Sequence, residues 1–532
     1  MDPCLTQQIR VSLPTWRKKD APNIPGYSNI SSLTPILEKF LGKLPDSEGQ
    51  LYSEELFARV ENFDGFGSCT VETVSKKKRN AYCKITHILD PIRTIQGYYD
   101  DKTKGERRKH DKINNPMNQA YVDSLGSYLL GQLRERNISP HFCLFYGSFK
   151  GIADSYRYNI TSEFESYRKY KEFWDRKKQG IFNLHVDHET DEEHWLSNTP
   201  NSSLRSSLFE YSTPKSSMTK SSHISLDSIE YMDTSGVELE TVDSFPSADE
   251  QSESDDSSSE DLSVFIELKD YPVMMIFQEQ MQGVLDDMLE FDNGESHGTK
   301  AWEDRWIAWT FQIIAALCAA QGVLGFTHND LHTNNIVWKT TEESWIWYKN
   351  RDGTVWRVPT YGKIFCLIDF GRGIFRVKDS LFISDDFSRG GDADGQYNFD
   401  TVSRMNRSKV YPNPSFDLCR YSVSVIDTLY PEPPVKKEDG GILSKEGSWE
   451  VYETESPFWN LLWSWLIDDN GANVLRDEDG TERFPDFDLY QHISAHIHSC
   501  KPQDQITKDI FNTFKVNAKD VGDWETVYPL FF

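Results

Sequence analysis

The sequence contains few cysteines and no paired cysteine motif. Its 8 cysteines, among 532 residues, are scattered along the chain, no two of them form a C-x-x-C pair, and several lie inside apolar runs. Closely spaced cysteine pairs are typical of structural zinc sites, and dense disulfide frameworks are typical of small secreted proteins. The pattern therefore predicts buried free thiols in a reducing compartment and argues against both a zinc site and a disulfide scaffold.

Positive charge is also scarce. Lys and Arg together number 57 against 84 Asp and Glu, which gives a formal net charge of −27. Because proteins that coat nucleic acids or anionic membranes bind them through positive charge, we expect neither a nucleic acid nor a membrane as a partner. The acids are unevenly distributed, since residues 221–262 contain 13 of them and no Lys or Arg. Nearly half of the net charge thus lies in one segment.

The N-terminus lacks the apolar core of a secretory signal. Residues 1–20 mix polar and basic side chains, so we expect an intracellular, cytoplasmic protein, and the basic run at 76–79 leaves the nucleus as an alternative. The longest apolar run, 306–326, has the length of a membrane span. Because Gln312 and Gln321 interrupt it and it leads directly into a polar loop, it predicts instead a buried helix of a folded domain.

Patterns along the chain predict a mixed α+β fold with a long insertion. Residues 1–50 are rich in proline and form an N-terminal extension. Short strands surround a helix at 118–135 within 51–150, and 263–282 supply one further strand and a connecting segment. The insertion, 151–262, becomes Ser-rich and acidic from about 197 and is predicted to be disordered there, because it has too little apolar surface to bury. Residues 283–532 are mainly helical, with a Trp-rich hairpin inserted at 340–362 and a linker at 431–447.

Two short motifs carry the chemistry. Asp330 and Asn335 stand five residues apart in a loop that begins with a histidine, and Asp369 follows an apolar strand and opens an Asp-Phe-Gly triplet. A base and two oxygen ligands for Mg²⁺ at this spacing are what a phosphoryl-transfer site uses. The alternative is that Asp330 and Asn335 only satisfy backbone groups in a turn. The presence of Asp369 in the expected order favours the catalytic interpretation.

Two upstream features suit a bound phosphate. Gly65 and Gly67 stand between two predicted strands, where the lack of side chains lets backbone N–H groups approach an anion. The same glycine pair also fits an ordinary hairpin. Lys84 lies at the end of an apolar strand, where a cation needs a partner or a route to solvent.

Together these motifs resemble the protein-kinase superfamily. The order along the chain is similar: a glycine pair, a strand lysine, a helix, a hinge, a long helix, the loop, Asp-Phe-Gly and a later helix that carries Asp417. More narrowly, the stretches HNDLHTNNIV, WIWYKNRDG, IDFGRGIF and PSFDLCR look like a divergent kinase-like family of large DNA viruses and some protists. The resemblance covers about 60–150 and 262–515. It implies a bilobal fold with a small β-rich N-lobe and a larger, mainly helical C-lobe.

The resemblance also implies a role for each site residue. Asp330 would be the catalytic base, Asn335 and Asp369 would hold Mg²⁺, and Lys84 would orient the phosphates of ATP. Because the helix at 118–135 has no Glu before Glu135, Asp123 is the predicted partner of Lys84. The predicted nucleotide-binding residues are the glycine pair, the lysine with its partner, and two hinge residues: Gly65, Gly67, Lys84, Asp123, Glu279 and Met281. His328 and Asp417 are predicted to be structural, with Asp417 anchoring the loop backbone.

The implied activity is that of a serine/threonine protein kinase, a transferase that uses ATP and Mg²⁺ and acts on a protein substrate. Three features depart from that family: Asn329 replaces an Arg, His332 replaces a Lys, and no Ala-Pro-Glu follows Asp-Phe-Gly. The loop is also similar to small-molecule kinases of the aminoglycoside and choline type. A pseudokinase scaffold that binds a nucleotide without transfer is a third interpretation. The hairpin tryptophans are predicted to cover a lobe, with a partner surface as the alternative.

Overall fold

The computed structural model describes residues 22–41, 57–64, 67–188, 262–291, 297–377, 380–477, 481–484, 488–522 and 526–530. Two of the predictions above lie outside these ranges. They are the placement of Gly65 in a phosphate-binding loop and the disorder of the acidic segment from about 197 to 261.

The fold mixes helices with mainly antiparallel sheets, which confirms the predicted α+β class. The strands of the largest sheet are β1 (Tyr27–Ser31), β2 (Phe57–Glu61), β3 (Ser68–Thr73), β4 (Lys78–His87), β5 (Phe145–Asn159), β6 (Asn183–His188) and β7 (Leu262–Glu279). Their order is β1-β5-β7-β4-β3-β2, and β6 pairs with β7. Lys84 on β4 stands opposite Ile276 on β7. Strand β5, which the sequence predicts to end before 151, continues to Asn159.

Smaller sheets follow later in the chain. Their strands are β8 (Gly283–Val284), β9 (Ile336–Thr340), β10 (Trp345–Lys349), β11 (Val355–Pro359), β12 (Lys363–Leu367), β13 (Phe375–Val377), β14 (Ser380–Phe382), β15 (Ile442–Glu446), β16 (Trp449–Tyr452), β17 (Lys515–Val516) and β18 (Val527–Pro529). They pair in the orders β12-β9-β8, β17-β11-β10-β18, β13-β14 and β15-β16. The prediction of a linker at 431–447 is wrong at its end, because β15 and β16 form a hairpin there. The hairpin turns at Gly447, whose φ of 54° suits glycine.

The described helices are α1 (Pro35–Leu41), α2 (Pro91–Ile95), α3 (Lys104–Ile113), α4 (Gln119–Glu135), α5 (Thr161–Tyr167), α6 (Lys171–Lys178), α7 (Leu285–Phe291), α8 (Lys300–Leu324), α9 (Phe416–Leu429), α10 (Pro457–Trp465), α11 (Asp488–His496) and α12 (Pro502–Gln505). The predicted helix at 118–135 is confirmed as α4. Asn118 caps it, since its side chain accepts the N–H of Ala120.

The chain divides into two compact units. Unit 1 comprises 1–89, 108–152 and 272–532, and unit 2 comprises 90–107 and 153–271. Strands β5 and β7 each contribute residues to both units. Within unit 2, α5, α6 and the loop before β6 bring together four buried rings: Phe164, Phe173, Trp174 and Phe182. All of the predicted catalytic and nucleotide-binding residues that the structure describes belong to unit 1.

Helix α8 runs through the core of unit 1. Its N-terminus is capped by Thr299, its C-terminus ends at Gly325 with a φ of 56°, and it is buried on nearly every side. By length and composition it is the one helix among the described residues that could cross a membrane, yet 89% of its most apolar window is buried inside the structure. Gln312 is satisfied internally, because its side chain donates to the carbonyl of Lys363 and accepts the N–H of Phe365. The prediction of a buried helix leading to the polar loop is confirmed.

The Trp-rich hairpin packs on this core. Strands β10 and β11 pair from Trp345 opposite Pro359 to Lys349 opposite Val355, and they turn at Gly353, whose φ is 92°. Trp347 and Trp356 are buried, whereas Trp345 is exposed. The ring of Phe311 on α8 lies against that of Trp356. The hairpin therefore covers the helix, as predicted.

Candidate functional site

Lys84 joins three elements that are distant in sequence. Its Nζ lies 2.7 Å from Oδ2 of Asp123 on α4 and 2.8 Å from Oδ1 of Asp369, which follows β12. The side chain of Asp123 is almost fully buried, whereas that of Asp369 is 42% exposed. One cation thus connects a strand, a helix and a loop, and it leaves the loop carboxylate accessible.

Mutual attraction keeps this cluster charged. Burial opposes the charge of Lys84, but the attraction of Asp123 and Asp369 outweighs it and raises the pKa of the lysine. Burial likewise opposes ionisation of Asp369, yet the attraction and hydrogen bond of Lys84 lower its pKa to about 2. Burial raises the pKa of Asp123, and Lys84 opposes that shift. At neutral pH the exposed Asp369 is therefore ionised and able to bind a cation.

Helix α4 also holds the backbone of the Asp-Phe-Gly triplet, through the side chain of Asp123. Oδ1 of Asp123 accepts the N–H of Phe370 at 2.9 Å. The buried ring of Phe370 packs edge-on against those of Phe326 and His328, with centroids 5.8 Å apart in both pairs. One turn further along α4, Gly126 leaves room for this side chain, since an added Cβ would lie 2.8 Å from Cβ of Phe370. The position of Asp369 is thus coupled to that of α4.

Gly126→Ala is expected to destabilise the protein by up to about 2 kcal/mol, because overpacking in the core costs about 1–3 kcal/mol and the gain in helix propensity offsets about 1 kcal/mol of it. Equilibrium denaturation measures this change. Gly131→Ala on the same helix is the control, and we expect it to destabilise the protein less. The side-chain atom nearest to an added Cβ at Gly131 is Cβ of Phe145, which lies farther away at 3.0 Å. A Gly126→Ala protein as stable as the unmodified chain would contradict the close packing.

Pairing between β9 and β12 brings Asn335 beside Asp369. Ile336 stands opposite Leu367, and the N–H of Ile368 donates to the carbonyl of Asn335 at 3.1 Å. The side-chain nitrogen of Asn335 donates to the carbonyl of Asp330 and to Nε2 of His332. Its Oδ1 contacts no donor among the residues that the structure describes. This oxygen and Oδ2 of Asp369, which the ion pair with Lys84 does not use, are available to bind a metal ion.

Buried groups behind the loop fix its backbone. The two oxygens of Asp417, at the start of α9, accept the N–H groups of His328 and Asn329, each at 2.9 Å. Nε2 of His328 bonds to the carbonyl of Ile368 at 2.8 Å. Asp417 and His328 therefore have the structural roles that the sequence predicts.

Two residues of the site have left-handed backbones although they are not glycine. The φ of Asn329 is 62° and that of Asp369 is 63°. Asn and Asp tolerate this region better than other residues. The side-chain nitrogen of Asn329 donates to Oγ1 of Thr327 and to the carbonyl of Arg372. Asn329, which stands where the protein-kinase family has an arginine, thus ties the loop to the segment after Asp-Phe-Gly.

The residues around Asp330 include several that the sequence analysis missed. The phenol of Tyr490 on α11 donates to Oδ1 of Asp330 at 3.1 Å, and Nη1 of Arg372 lies 3.7 Å from Oδ2. The phenol of Tyr397 donates to the carbonyl of Asn329. Arg372 directly follows the Asp-Phe-Gly triplet, so its position in the sequence could have singled it out. Tyr490 carries no such signal.

His332 lies in the same loop, two residues after Asp330. Burial lowers the pKa of His332, although the nearby Asp330 opposes the shift. The side chain is therefore neutral at pH 7 and can accept the hydrogen bond of Asn335. His332 thus supplies a hydrogen-bond acceptor that orients the side chain of Asn335.

The turn before β3 requires Gly67. Its φ is 130°, its N–H donates to Oδ1 of Asp64 at 2.9 Å, and an added Cβ would lie 2.6 Å from the ring of Tyr82. The turn joins two antiparallel strands, β2 and β3, in which Val60 stands opposite Val71. The structure thus supports a tight hairpin here.

Of the predicted hinge residues, Glu279 is the last residue of β7 and Met281 follows it by two positions. The carboxylate of Glu279 accepts from Lys339 at 2.6 Å and from the N–H of Leu144 at 3.3 Å, so this side chain is engaged within the protein. Met281 packs against a small apolar cluster that contains Val337 and Cys366. Its backbone N–H has no partner within the described part of the chain. Of the two, Met281 therefore offers the free polar group.

Neither a scan against protein-family models nor a search of curated proteins found a match to this chain. The function is accordingly inferred from the geometry of Lys84, Asp330, Asn335 and Asp369.

Proposed function

We propose that this chain is a bilobal, protein-kinase-like enzyme that transfers the γ-phosphoryl group of ATP, with Mg²⁺, to Ser or Thr hydroxyls of proteins. The observation that carries the proposal is the double ion pair of Lys84 with Asp123 and Asp369. In a phosphotransferase of this kind, such a lysine orients the phosphates and the loop acid holds the metal. Asn335, beside Asp369 through the β9–β12 pairing, adds a second oxygen ligand.

The residues present fit Mg²⁺ in the presence of a nucleotide. Among the described residues, no group of three or more His, Cys, Asp or Glu side chains could hold a metal ion alone. Mg²⁺ is commonly bound by one or two carboxylates together with substrate phosphates and water. Asp369 and Oδ1 of Asn335 would hold the ion, which would neutralise charge on the phosphates. The free N–H of Met281 supplies a donor that suits the adenine base.

The protein groups would act mainly by positioning. Asp330 would accept the proton of the acceptor hydroxyl while the oxygen of that hydroxyl attacks the γ-phosphorus of ATP and ADP leaves. Lys84 would hold the phosphates, while the buried Asp123 keeps the lysine in place. Because the reacting groups are charged and oriented in advance, little covalent help is required from the protein.

One observation favours the pseudokinase alternative. Both oxygens of Asp330 contact protein groups, Tyr490 and Arg372. A scaffold would bind ATP without presenting this carboxylate to an acceptor. The two functions therefore differ in whether bound ATP is consumed.

Incubation of the purified chain with Mg²⁺ and labelled ATP is expected to label generic protein substrates. Asp369→Asn, or removal of Mg²⁺ with EDTA, is expected to reduce labelling at least about 100-fold, since a metal ion supplies several kcal/mol of transition-state stabilisation. The control, Asp439→Asn, alters an exposed acid and is expected to leave labelling unchanged.

The outcomes separate the candidate functions. Labelling that survives Asp369→Asn would refute the assigned metal site. Tight ATP binding without transfer to any acceptor would favour the scaffold. Transfer to choline or an aminoglycoside, but to no protein, would identify a small-molecule kinase.

A further inference from the structure

The carboxylate of Asp330 is oriented by groups from two separate parts of unit 1. It is partly buried, with 23% of the side chain exposed. The phenol of Tyr490 donates to Oδ1, and Nη1 of Arg372 faces Oδ2. A general base must direct one oxygen at the proton that it accepts, so the donors to the carboxylate decide how it is presented.

Tyr490 is itself held in place. Nε of Arg420 on α9 donates to the phenol oxygen at 2.9 Å, and the guanidinium lies 5.3 Å from the centre of the Tyr490 ring. The rings of Phe416 and Tyr397 pack against the same ring, with centroids 5.7 Å and 6.2 Å away. A hydrogen-bond chain thus runs from Arg420 through Tyr490 to Asp330.

The direction of this chain follows from charge. Burial raises the pKa of Tyr490, and the nearby Arg420 opposes the shift without cancelling it. The phenol therefore keeps its proton at neutral pH. Because Arg420 can only donate, the phenol oxygen accepts from it and its own O–H is directed at Asp330. The titratable and charged groups near Asp330 are His332 in the loop, Arg372 after β12, Tyr397, Asp417 and Arg420 on α9, and Tyr490 on α11.

We propose that Tyr490 is a positioning residue for the base Asp330, and that Arg420 holds Tyr490 in the orientation that this requires. The proposal rests on the proposed function, since it assigns Asp330 the role of base. Through Tyr490, the orientation of the Asp330 carboxylate depends on how α9 and α11 are placed. Helix α11 lies outside the motifs that carry the sequence resemblance, whereas α9 begins within the stretch PSFDLCR, which ends at Arg420.

Tyr490→Phe tests this role, because it removes the hydroxyl and keeps the ring. We expect kcat for phosphoryl transfer to fall roughly 10- to 100-fold, the loss of one hydrogen bond to a charged group, while KM for ATP changes less than about twofold. Tyr430→Phe is the matched control, since it removes a partly buried phenol that bonds to Ser456.

Arg420→Gln provides a second test that leaves Tyr490 itself unchanged. It is expected to lower kcat by a smaller factor and to leave KM for ATP within about twofold. A kcat of Tyr490→Phe that matches that of Tyr430→Phe would overturn the positioning role alone. A faster Tyr490→Phe enzyme would also overturn it, because the phenol would then block the base. An unmodified chain that transfers no phosphate would overturn the proposed function and this role together.

Discussion

Asp330→Asn is expected to lower kcat for phosphoryl transfer by roughly 10²- to 10⁴-fold while leaving the affinity for ATP within about twofold. Asn has the same shape as Asp but cannot accept the proton of the acceptor hydroxyl. Asp330 is separate from the ion pairs of Lys84, which join that lysine to Asp123 and Asp369. Steady-state kinetics with labelled ATP and direct measurement of nucleotide binding determine the two quantities independently.

Asp427→Asn is the matched control for this substitution. Asp427 lies on α9 with an exposed carboxylate that pairs with Arg476, so its replacement is expected to leave kcat unchanged. A full rate for Asp330→Asn would show that Asp330 is not the base. An equal loss of ATP affinity and of kcat would instead assign this residue to the nucleotide site.

Asp417→Ala is expected to reduce the free energy of unfolding by several kcal/mol. The fully buried carboxylate accepts the N–H groups of His328 and Asn329. Without it, two buried donors lose their partners, at roughly 1–3 kcal/mol each. This loss is large relative to a total stability of about 5–15 kcal/mol. Urea denaturation followed by circular dichroism measures the change.

The same helix offers a control for stability. Asp427→Ala removes a carboxylate whose side chain is 63% exposed and which forms a surface ion pair with Arg476. Such pairs contribute about 0–1 kcal/mol, so the expected change is small. Equal destabilisation by Asp417→Ala and Asp427→Ala would contradict the anchoring of the loop. A destabilised Asp417→Ala protein is also expected to lose activity, because Asp330 follows the anchored residues directly.

Local sequence patterns predicted the elements that depend on neighbours in the chain. The periodicity of apolar residues specifies α4, the apolar run before Gly325 specifies α8, and Asp352-Gly353 specifies the turn of the Trp-rich hairpin. Each of these signals acts within a few residues. They could be read without knowing where the rest of the chain lies.

Pairing between distant segments was harder to predict. Strand β15 lies in the stretch that the sequence predicts to be a linker, because this strand is short and mostly polar. The extension of β5 to Asn159 was missed because a strand lasts as long as its neighbours pair with it. In both places the local pattern is weak and the sheet partner decides.

For the candidate site, the sequence by itself determined the chemical groups, and the tertiary structure decided how they are oriented. The spacing of Asp330, Asn335 and Asp369 was sufficient to propose phosphoryl transfer, and the absence of Glu before Glu135 pointed to Asp123 as the partner of Lys84. The hydrogen bond of Tyr490 to Asp330 joins residues 160 positions apart. No local pattern encodes such a contact, because it arises only when separate helices pack together.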